Sequence, residues 1–498
     1  MDVPLYLRPR VEPPLASLLR AQTFLHSLVD ALGSPLNVLI PEVVAENAAR
    51  FRAVQRRHHL AGRVYYAHKA NRSSSLVRRL AAEDVAAVGI DVASLEELRH
   101  ALGCGFTGDR IMATGPKDAE FLWLAARVGA TVNLDSPGEL EQLAGLVRGH
   151  GLARVDVLVR LSGFESAAVQ GGTGTRLLAR RSRFGTPVRE AEALLSALER
   201  HRDAVELTGV AYHLDTTGVE EKARALEQCV LFMDECRARG LAPRALDIGG
   251  GFGVGYLADA EEWERWTTAL SEAVLGVRPP LTWRGHGYGL RNEGGTVRGN
   301  AALYPAHRPT AGPGYLDELL SMPAPVLGRP SATLLLEHLH DLYIEPGRSL
   351  VDQCGLSLAR VLDVRPAGEE PDRYLVRLGM NAGDMSLEEH GVLMDPVLLP
   401  RGGPADGEEE PVGVFLAGNL CLEADLITRR LVHLPRLPRA GDLLAFTNTA
   451  GYAMDFHAHR AQRQPLARTV AVEPEGDSWR WCLDEDYWPL TSPGGTTA

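Results

Sequence analysis

The stretch Val64-Tyr65-Tyr66-Ala67-His68-Lys69-Ala70-Asn71 decides how the rest of the chain is read. Residues 64–67 form a short apolar run of strand type, and Lys69 stands just past its end. Lysine is rare here: only Lys69, Lys117 and Lys222 stand among 52 basic residues, and arginine serves everywhere else. A lysine kept at a strand end points to a need for a primary amine. Arginine cannot form a Schiff base with an aldehyde, whereas a desolvated lysine can. A merely solvated lysine is the plain alternative, and the residues beyond it decide between the two.

Outward from that point, apolar strand-type runs recur at residues 64–67, 85–90, 110–113, 131–134, 155–161, 207–213, 245–248 and 341–344. Helix-type stretches lie between most of them, at 94–101, 118–128, 137–147, 191–201 and 220–239. Repeated β–α units with eight candidate strands predict a (β/α)8 TIM barrel. A doubly wound open sheet has the same local pattern, so periodicity alone leaves both open. Ahead of the barrel, the sequence predicts a helix over 15–32 and a strand over 35–40. A second helix follows, opened by Pro41, where the missing N–H does no harm. Residues 283–330 break the rhythm with Gly, Pro and Arg, a length that suits either a lid or a disordered loop. Beyond Arg348, short β-type runs at 356–364, 374–378, 413–417 and 443–446 predict a separate β domain, with polar loops at 365–373 and 401–411. Residues 492–498 read as a loose tail.

A chain of 498 residues is long enough for two or three domains, and 45% hydrophobic with 23% charged residues is a globular composition. A formal net charge of -12 argues against nucleic acid or an anionic membrane as partner. No apolar run reaches membrane-spanning length, and Met1-Asp2-Val3-Pro4 does not open a signal peptide. The six cysteines show neither a CxxC pair nor metal-ligand spacing, so thiols in a reducing cytoplasm are expected and no metal is.

Two further motifs carry chemistry. Asp247-Ile248-Gly249-Gly250-Gly251-Phe252-Gly253 follows an apolar run, and consecutive glycines let backbone N–H groups converge on a phosphate. Such a run is otherwise a tight turn; at the C-terminal end of a barrel strand the phosphate reading is favoured. Glu345-Pro346-Gly347-Arg348 ends the last barrel run. There an acid and an arginine could pair with each other or serve two ends of one ligand, Arg348 on a phosphate and Glu345 on a ring nitrogen.

Taken in order, these motifs resemble the fold-type III pyridoxal-phosphate enzymes, in particular the branch of the ornithine and diaminopimelate decarboxylases. The resemblance spans roughly residues 34–460. It is carried by Tyr66-Ala67-His68-Lys69-Ala70-Asn71, Asp91-Val92-Ala93-Ser94, the triple glycine, Glu345-Pro346-Gly347-Arg348, and Cys421 with Asp425. It implies a pyridoxal 5'-phosphate-binding TIM barrel over residues 46–348, with an insertion near 283–330. It also implies a C-terminal β-barrel or β-sandwich domain over 349–498, completed by an N-terminal segment, residues 1–45, as in alanine racemases.

By the same resemblance, Lys69 would be the Schiff-base lysine, with Asp91 close to it. His213 would stack on the pyridine ring and Arg160 would sit nearby. Thr216, Gly249, Gly250, Gly251, Arg348 and Tyr452 would hold the phosphate, and Glu345 the ring nitrogen. Cys421 would reach the active site of the opposite subunit of a homodimer and reprotonate the carbanion. The related racemases use a tyrosine for the second acid–base role, so Cys421 implies decarboxylation of an amino acid or amino-acid-derived metabolite. Glu423, Asp425 and Asp384 are the candidate substrate contacts.

Three departures stand out. Leu422 occupies the place after the cysteine where diamino-acid decarboxylases carry an acid. The stretch after Gly379-Met380-Asn381 lacks the Arg-Pro-x-Leu-Tyr pattern used on a distal carboxylate, with Asp384 and His390 there instead. Asp215 stands where a glycine is usual. A racemase or epimerase, a non-catalytic pyridoxal-phosphate carrier and a decayed regulator are the alternatives.

Overall fold

The computed structural model describes residues 4–164, 182–214, 216, 218–368, 373–402 and 410–489. Asp215, parts of both polar loops and the expected tail at 492–498 lie outside the described residues. The chain divides into two compact units, one formed by residues 45–253, 310–350 and 488–498, the other by 1–44, 254–309 and 351–487.

The first unit is a closed barrel. Its strands are β1 (Gly62–Ala67), β2 (Val88–Val92), β3 (Ile111–Ala113), β4 (Thr131–Leu134), β5 (Val155–Ser162), β6 (Val205–Tyr212), β7 (Ala245–Asp247) and β8 (Asp341–Ile344). Each pairs in parallel with the next, and β8 closes on β1 through Leu342↔Gly62. Closure excludes the open doubly wound sheet. Strands covered on both faces are buried along their length, as all five residues of β2 show, Asp91 included. The interior is filled by Tyr65, Met112, Leu158 and Ala211 with Tyr343 against them, each from a different strand. Helix starts follow side-chain chemistry: Ser94 accepts from Glu97 N–H, Asp118 from Phe121 and Ser136 from Glu139, with Pro137 in the first turn.

The second unit is built on a nine-stranded sheet. Strand Leu36–Leu39 lies between Gly355–Pro366, to which it is antiparallel, and Arg468–Glu475, to which it is parallel. The N-terminal segment therefore supplies an interior strand to a sheet otherwise made of C-terminal sequence. Inside this unit the buried Arg430–Asp395 pair, 2.6 Å apart, is joined by Leu7 N–H on the same carboxylate at 2.7 Å.

Several expectations change. The strand expected at 85–90 begins at Val88, because Asp84 accepts from Ala86 and Ala87 N–H and turns Val85 outward. The helix expected over 15–32 is two, Pro13–Arg20 and Gln22–Leu32, parted at Ala21 with ψ 52°. Residues 254–309, expected within the barrel domain, belong instead to the sheet unit. Val254, Tyr256, Trp266, Leu270, Tyr288 and Ala306 share one buried core with Val376, Leu378, Val414 and Val432. The stretch 283–330 is ordered rather than disordered. It contains a hairpin, Arg291–Glu293 with Thr296–Arg298, and then helix Gly312–Ser321 in the barrel unit. Strands Leu426–Leu434, Arg468–Glu475 and Ser478–Leu483 were not expected from the sequence. Among the described residues, no helix is long and apolar enough to cross a membrane.

Candidate active site

The strand ends of the barrel unit surround one cavity of about 640 Å³. Lys69, Arg160, His213, Thr216 and Glu345 line it, contributed by sequence positions as far apart as 276 residues (345 − 69). Lys69 sits in a single 3₁₀ turn, His68–Ala70, directly after β1, and its side chain is exposed to the cavity. The turn is fixed on both sides: Ala67 N–H donates to Pro346 O, and the Tyr66 hydroxyl donates to Asn71 O at 2.7 Å.

Asp91, near the end of β2, is 2% exposed, and its Oδ1 has no hydrogen-bond partner among the described residues. Burial and then the neighbouring Glu345 carboxylate push its pKa well above the usual carboxylate range, with Lys69 opposing them. Asp247, at the end of β7, is fully buried and accepts from Gly249 N–H at 2.8 Å. Its pKa is likewise raised, by burial and then by Glu345. In the sequence, the one sign of this role is the place of Asp247 at the head of the glycine run.

The turn Gly249–Gly251 is close to both β6 and β8. Gly249 has φ +65°, and a Cβ there would stand 2.6 Å from His213 Nδ1 and 2.8 Å from Tyr212 O. Gly249 O in turn accepts from Glu345 N–H at 2.9 Å. Gly250 N–H donates to His213 Nδ1 at 3.3 Å, which leaves the ring proton on Nε2 and the imidazole neutral. Burial, followed by the cations Lys69, Arg160 and Lys222, holds the His213 pKa well below its ordinary value. Gly249→Ala is expected to cost about 1–3 kcal/mol through backbone strain and collision with His213. Thermal unfolding, with pyridoxal-phosphate titration of the same sample, would register both losses.

The remaining predicted residues behave differently. Arg160 pairs with Asp135 at 3.4 Å and lies over the Phe184 ring at 4.8 Å. The Thr216 hydroxyl donates to Glu221 and accepts from Gly218 N–H at 3.0 Å, so its hydrogen bonds are taken within its own loop. Arg348, half-buried, follows Glu345 by three residues, and Gly347 O accepts from Leu350 N–H just beyond it.

Tyr452, Cys421, Glu423, Asp425 and Asp384 belong to the sheet unit. Cys421 is exposed, and its N–H donates to Gln462 at 2.9 Å. Asp425 is buried and accepts from Ala382 and Leu420 N–H, each at 2.8 Å, which ties the Cys421 loop to the Asp384 loop. Asp384 accepts from Asn381 N–H, and burial raises its pKa to about 6. Glu423 forms an exposed pair with Arg284 at 3.0 Å. Tyr452 has φ +68° and packs against His390 at 5.7 Å between ring centres.

The barrel residues fit pyridoxal phosphate. They offer an amine in a cavity, a carboxylate on the adjacent strand end, a buried carboxylate oxygen without a partner among the described residues at Asp91 and a glycine turn that side chains would obstruct. Comparison with known proteins agrees. Residues 44–281 match the family model of the pyridoxal-dependent decarboxylase pyridoxal-binding domain. The chain is 33% identical over 461 residues to a diaminopimelate decarboxylase of Corynebacterium efficiens, covering 90% of this chain and 84% of that one. It is 31% identical over 449 residues to an uncharacterised protein, y4yA, of Sinorhizobium fredii, covering 89% and 88%. The crystal structure of a diaminopimelate decarboxylase from M. jannaschii, in co-complex with L-lysine, superposes with a TM-score of 0.67 at 19% identity over 92% and 91% of the two chains. With Lys69, His213 and Glu345 lining one barrel cavity and the glycine turn bonded to His213 and Glu345, this chain belongs to the pyridoxal-phosphate-dependent amino-acid decarboxylases of fold-type III.

Proposed function

We propose that the protein removes the carboxylate from Cα of an amino acid or amino-acid-derived metabolite, using Lys69 of one subunit and Cys421 of the partner subunit. The observation that carries this reading is the cavity lined together by Lys69, Arg160, His213 and Glu345. Pyridoxal phosphate, when bound, supplies the electron sink that accepts the pair left when the Cα–carboxylate bond breaks.

The chain's own residues have separate tasks. The Lys69 amine would hold the cofactor through its aldehyde. Glu345 would keep a proton on the ring nitrogen, and the neutral His213 would pack against the ring. Gly249, Gly250, Gly251 and Arg348 would hold the phosphate, joined by Thr216 once its hydroxyl turns from Glu221, and Arg160 and Asp91 would flank the Schiff-base end. The Cys421 thiol gives its proton to Cα after carbon dioxide leaves, and solvent restores the thiol. The protein is then an obligate homodimer with two composite sites.

Its substrate differs from ornithine, lysine and meso-diaminopimelate. Leu422 carries no charge for a distal amine, Glu423 is paired with Arg284, and both Asp425 oxygens are occupied by backbone N–H groups. The substrate contacts then fall to Asp384 and Cys421, with Glu423 and Asp425 shaping the loop.

Subunit complementation tests the shared site. Lys69→Ala and Cys421→Ala are each expected to be inactive alone. Mixed after subunit exchange, they regain about a quarter of wild-type activity, because half the dimers then carry one intact site of two. Carbon dioxide release is followed over a panel of amino acids containing the three named ones. No recovery on mixing would remove the partner's Cys421 from the site. Solvent deuterium in recovered amino acid without carbon dioxide would replace decarboxylation with epimerisation.

A further inference from the structure

Lys222 is the third lysine of a chain that otherwise uses arginine, and nothing above gives it a task. It lies in the first turns of helix Val219–Ala238 and is 0% exposed. Its Nζ donates to Gly250 O, the middle carbonyl of the glycine turn. The ammonium is boxed by two aromatic faces, with Nζ 5.2 Å from the Phe252 ring centre and 5.3 Å from that of Tyr315. At Gly251, with φ +83°, an added Cβ would stand 2.8 Å from Nζ. The turn and the ammonium are thus built around each other.

Burying an ammonium costs several kcal/mol unless its charge is used or compensated. The field of this charge reaches the cavity, since Lys222 is among the cations that depress His213. Binding the carbonyl also orients the turn. With Gly250 O held on the Lys222 side and Gly249 O held by Glu345 N–H, the carbonyls of the turn are drawn away from an incoming anion. Lysine suits this box better than arginine, because its ammonium is a compact point charge and not a planar fork.

We propose that Lys222 is a positioning residue of the phosphate site, a buried cation that sets the glycine turn and lends it positive charge from behind. This rests on the assignment of the cofactor phosphate to that turn. Lys222 does not touch the reacting atoms; its effect is on how well an anionic tail is held.

The test compares pyridoxal phosphate with pyridoxal, which lacks the phosphate, by absorbance titration of the full-length apoprotein. Lys222→Met removes the charge at similar volume, and Arg348→Met serves as the parallel probe of the phosphate site. Lys222→Met is expected to bind pyridoxal phosphate about tenfold to a hundredfold more weakly, with pyridoxal affinity unchanged. Inorganic phosphate should compete correspondingly less well in the variant.

Equal loss for both ligands, or no loss for either, while Arg348→Met discriminates between them, overturns the role of Lys222. If neither variant discriminates, the phosphate assignment itself falls and takes the proposal with it. Should Lys222→Met fail to fold, Lys222→Gln supplies the same comparison. It keeps a donor for Gly250 O without the charge, and an unchanged ratio of the two affinities there overturns the electrostatic part.

Discussion

Lys69→Ala is expected to lower kcat about ten-thousandfold or more, because the amine that carries the cofactor and exchanges with substrate is gone. The bound cofactor should also lose its Schiff-base absorbance and show that of the free aldehyde. Lys69 is the cavity-lining lysine; Lys117 is paired with Glu139 at 3.0 Å, and Lys222 is buried behind the glycine turn. Neither can replace it. The strand end is also held by backbone, by Tyr66 and by His68, which meets His100 at 2.8 Å and Glu97 at 3.4 Å, so the alanine variant should fold normally. Protein that still showed Schiff-base absorbance with no amine added would show that another residue holds the aldehyde. Added small primary amines should restore part of the activity, which separates loss of the amine from loss of the fold.

Glu345→Gln is expected to reduce kcat about a hundredfold to ten-thousandfold, since an amide cannot keep the ring nitrogen protonated. The same change has the opposite sign for stability of the apoprotein. Asp91 and Asp247 have folded-state pKa values raised first by burial and then by the Glu345 carboxylate. A carboxyl whose pKa is raised on folding binds more protons in the folded chain than in the unfolded one. Its stabilising contribution is therefore full below the unfolded pKa, about 4, and is lost as pH rises through the folded value. Removing Glu345 lowers both folded values and shrinks that loss. Apo Glu345→Gln should exceed wild type at pH 7 by about 1–3 kcal/mol, and the difference should vanish near pH 4. Urea unfolding at the two pH values, beside kcat for the holoenzyme, reads both signs. Lower stability at pH 7 would mean that Glu345 contributes more to the apo fold through its contacts than it costs through repulsion.

Local sequence made most of the barrel legible. Thr131–Leu134 and Asp341–Ile344 lie where the strand-type runs placed them, each carried by two buried aliphatic residues, Val132 with Leu134 and Leu342 with Ile344. The Val88 start was misplaced because Val85 is apolar yet held outside by Asp84, a hydrogen bond that composition does not reveal. In the sheet unit, Leu426–Leu434 contains two adjacent arginines, Arg429 and Arg430, which break the apolar pattern. Arg430 is buried all the same, because Asp395, thirty-five residues away, neutralises it. Ser478–Leu483, with two tryptophans and an arginine, hides its strand for a similar reason: half-exposed strands mix polar and apolar residues.

By itself the sequence determined the chemistry available to this protein. It has a rare amine after a strand, three glycines after another, an acid and an arginine after the last, and a cysteine in the β domain. Those are choices of residue type, and motif order carries them without coordinates. Tertiary structure alone decided which groups share an environment. Closure of β8 on β1 sets Glu345 beside Lys69, and the crowding of Asp91, Asp247 and Glu345 raises pKa values that no linear spacing implies. It also placed residues 254–309 in the sheet unit and put Lys222 behind the glycine turn. The physical reason is that burial and charge act through space: desolvation and Coulomb terms depend on which side chains the fold makes neighbours, and those neighbours here lie up to 276 residues apart (345 − 69).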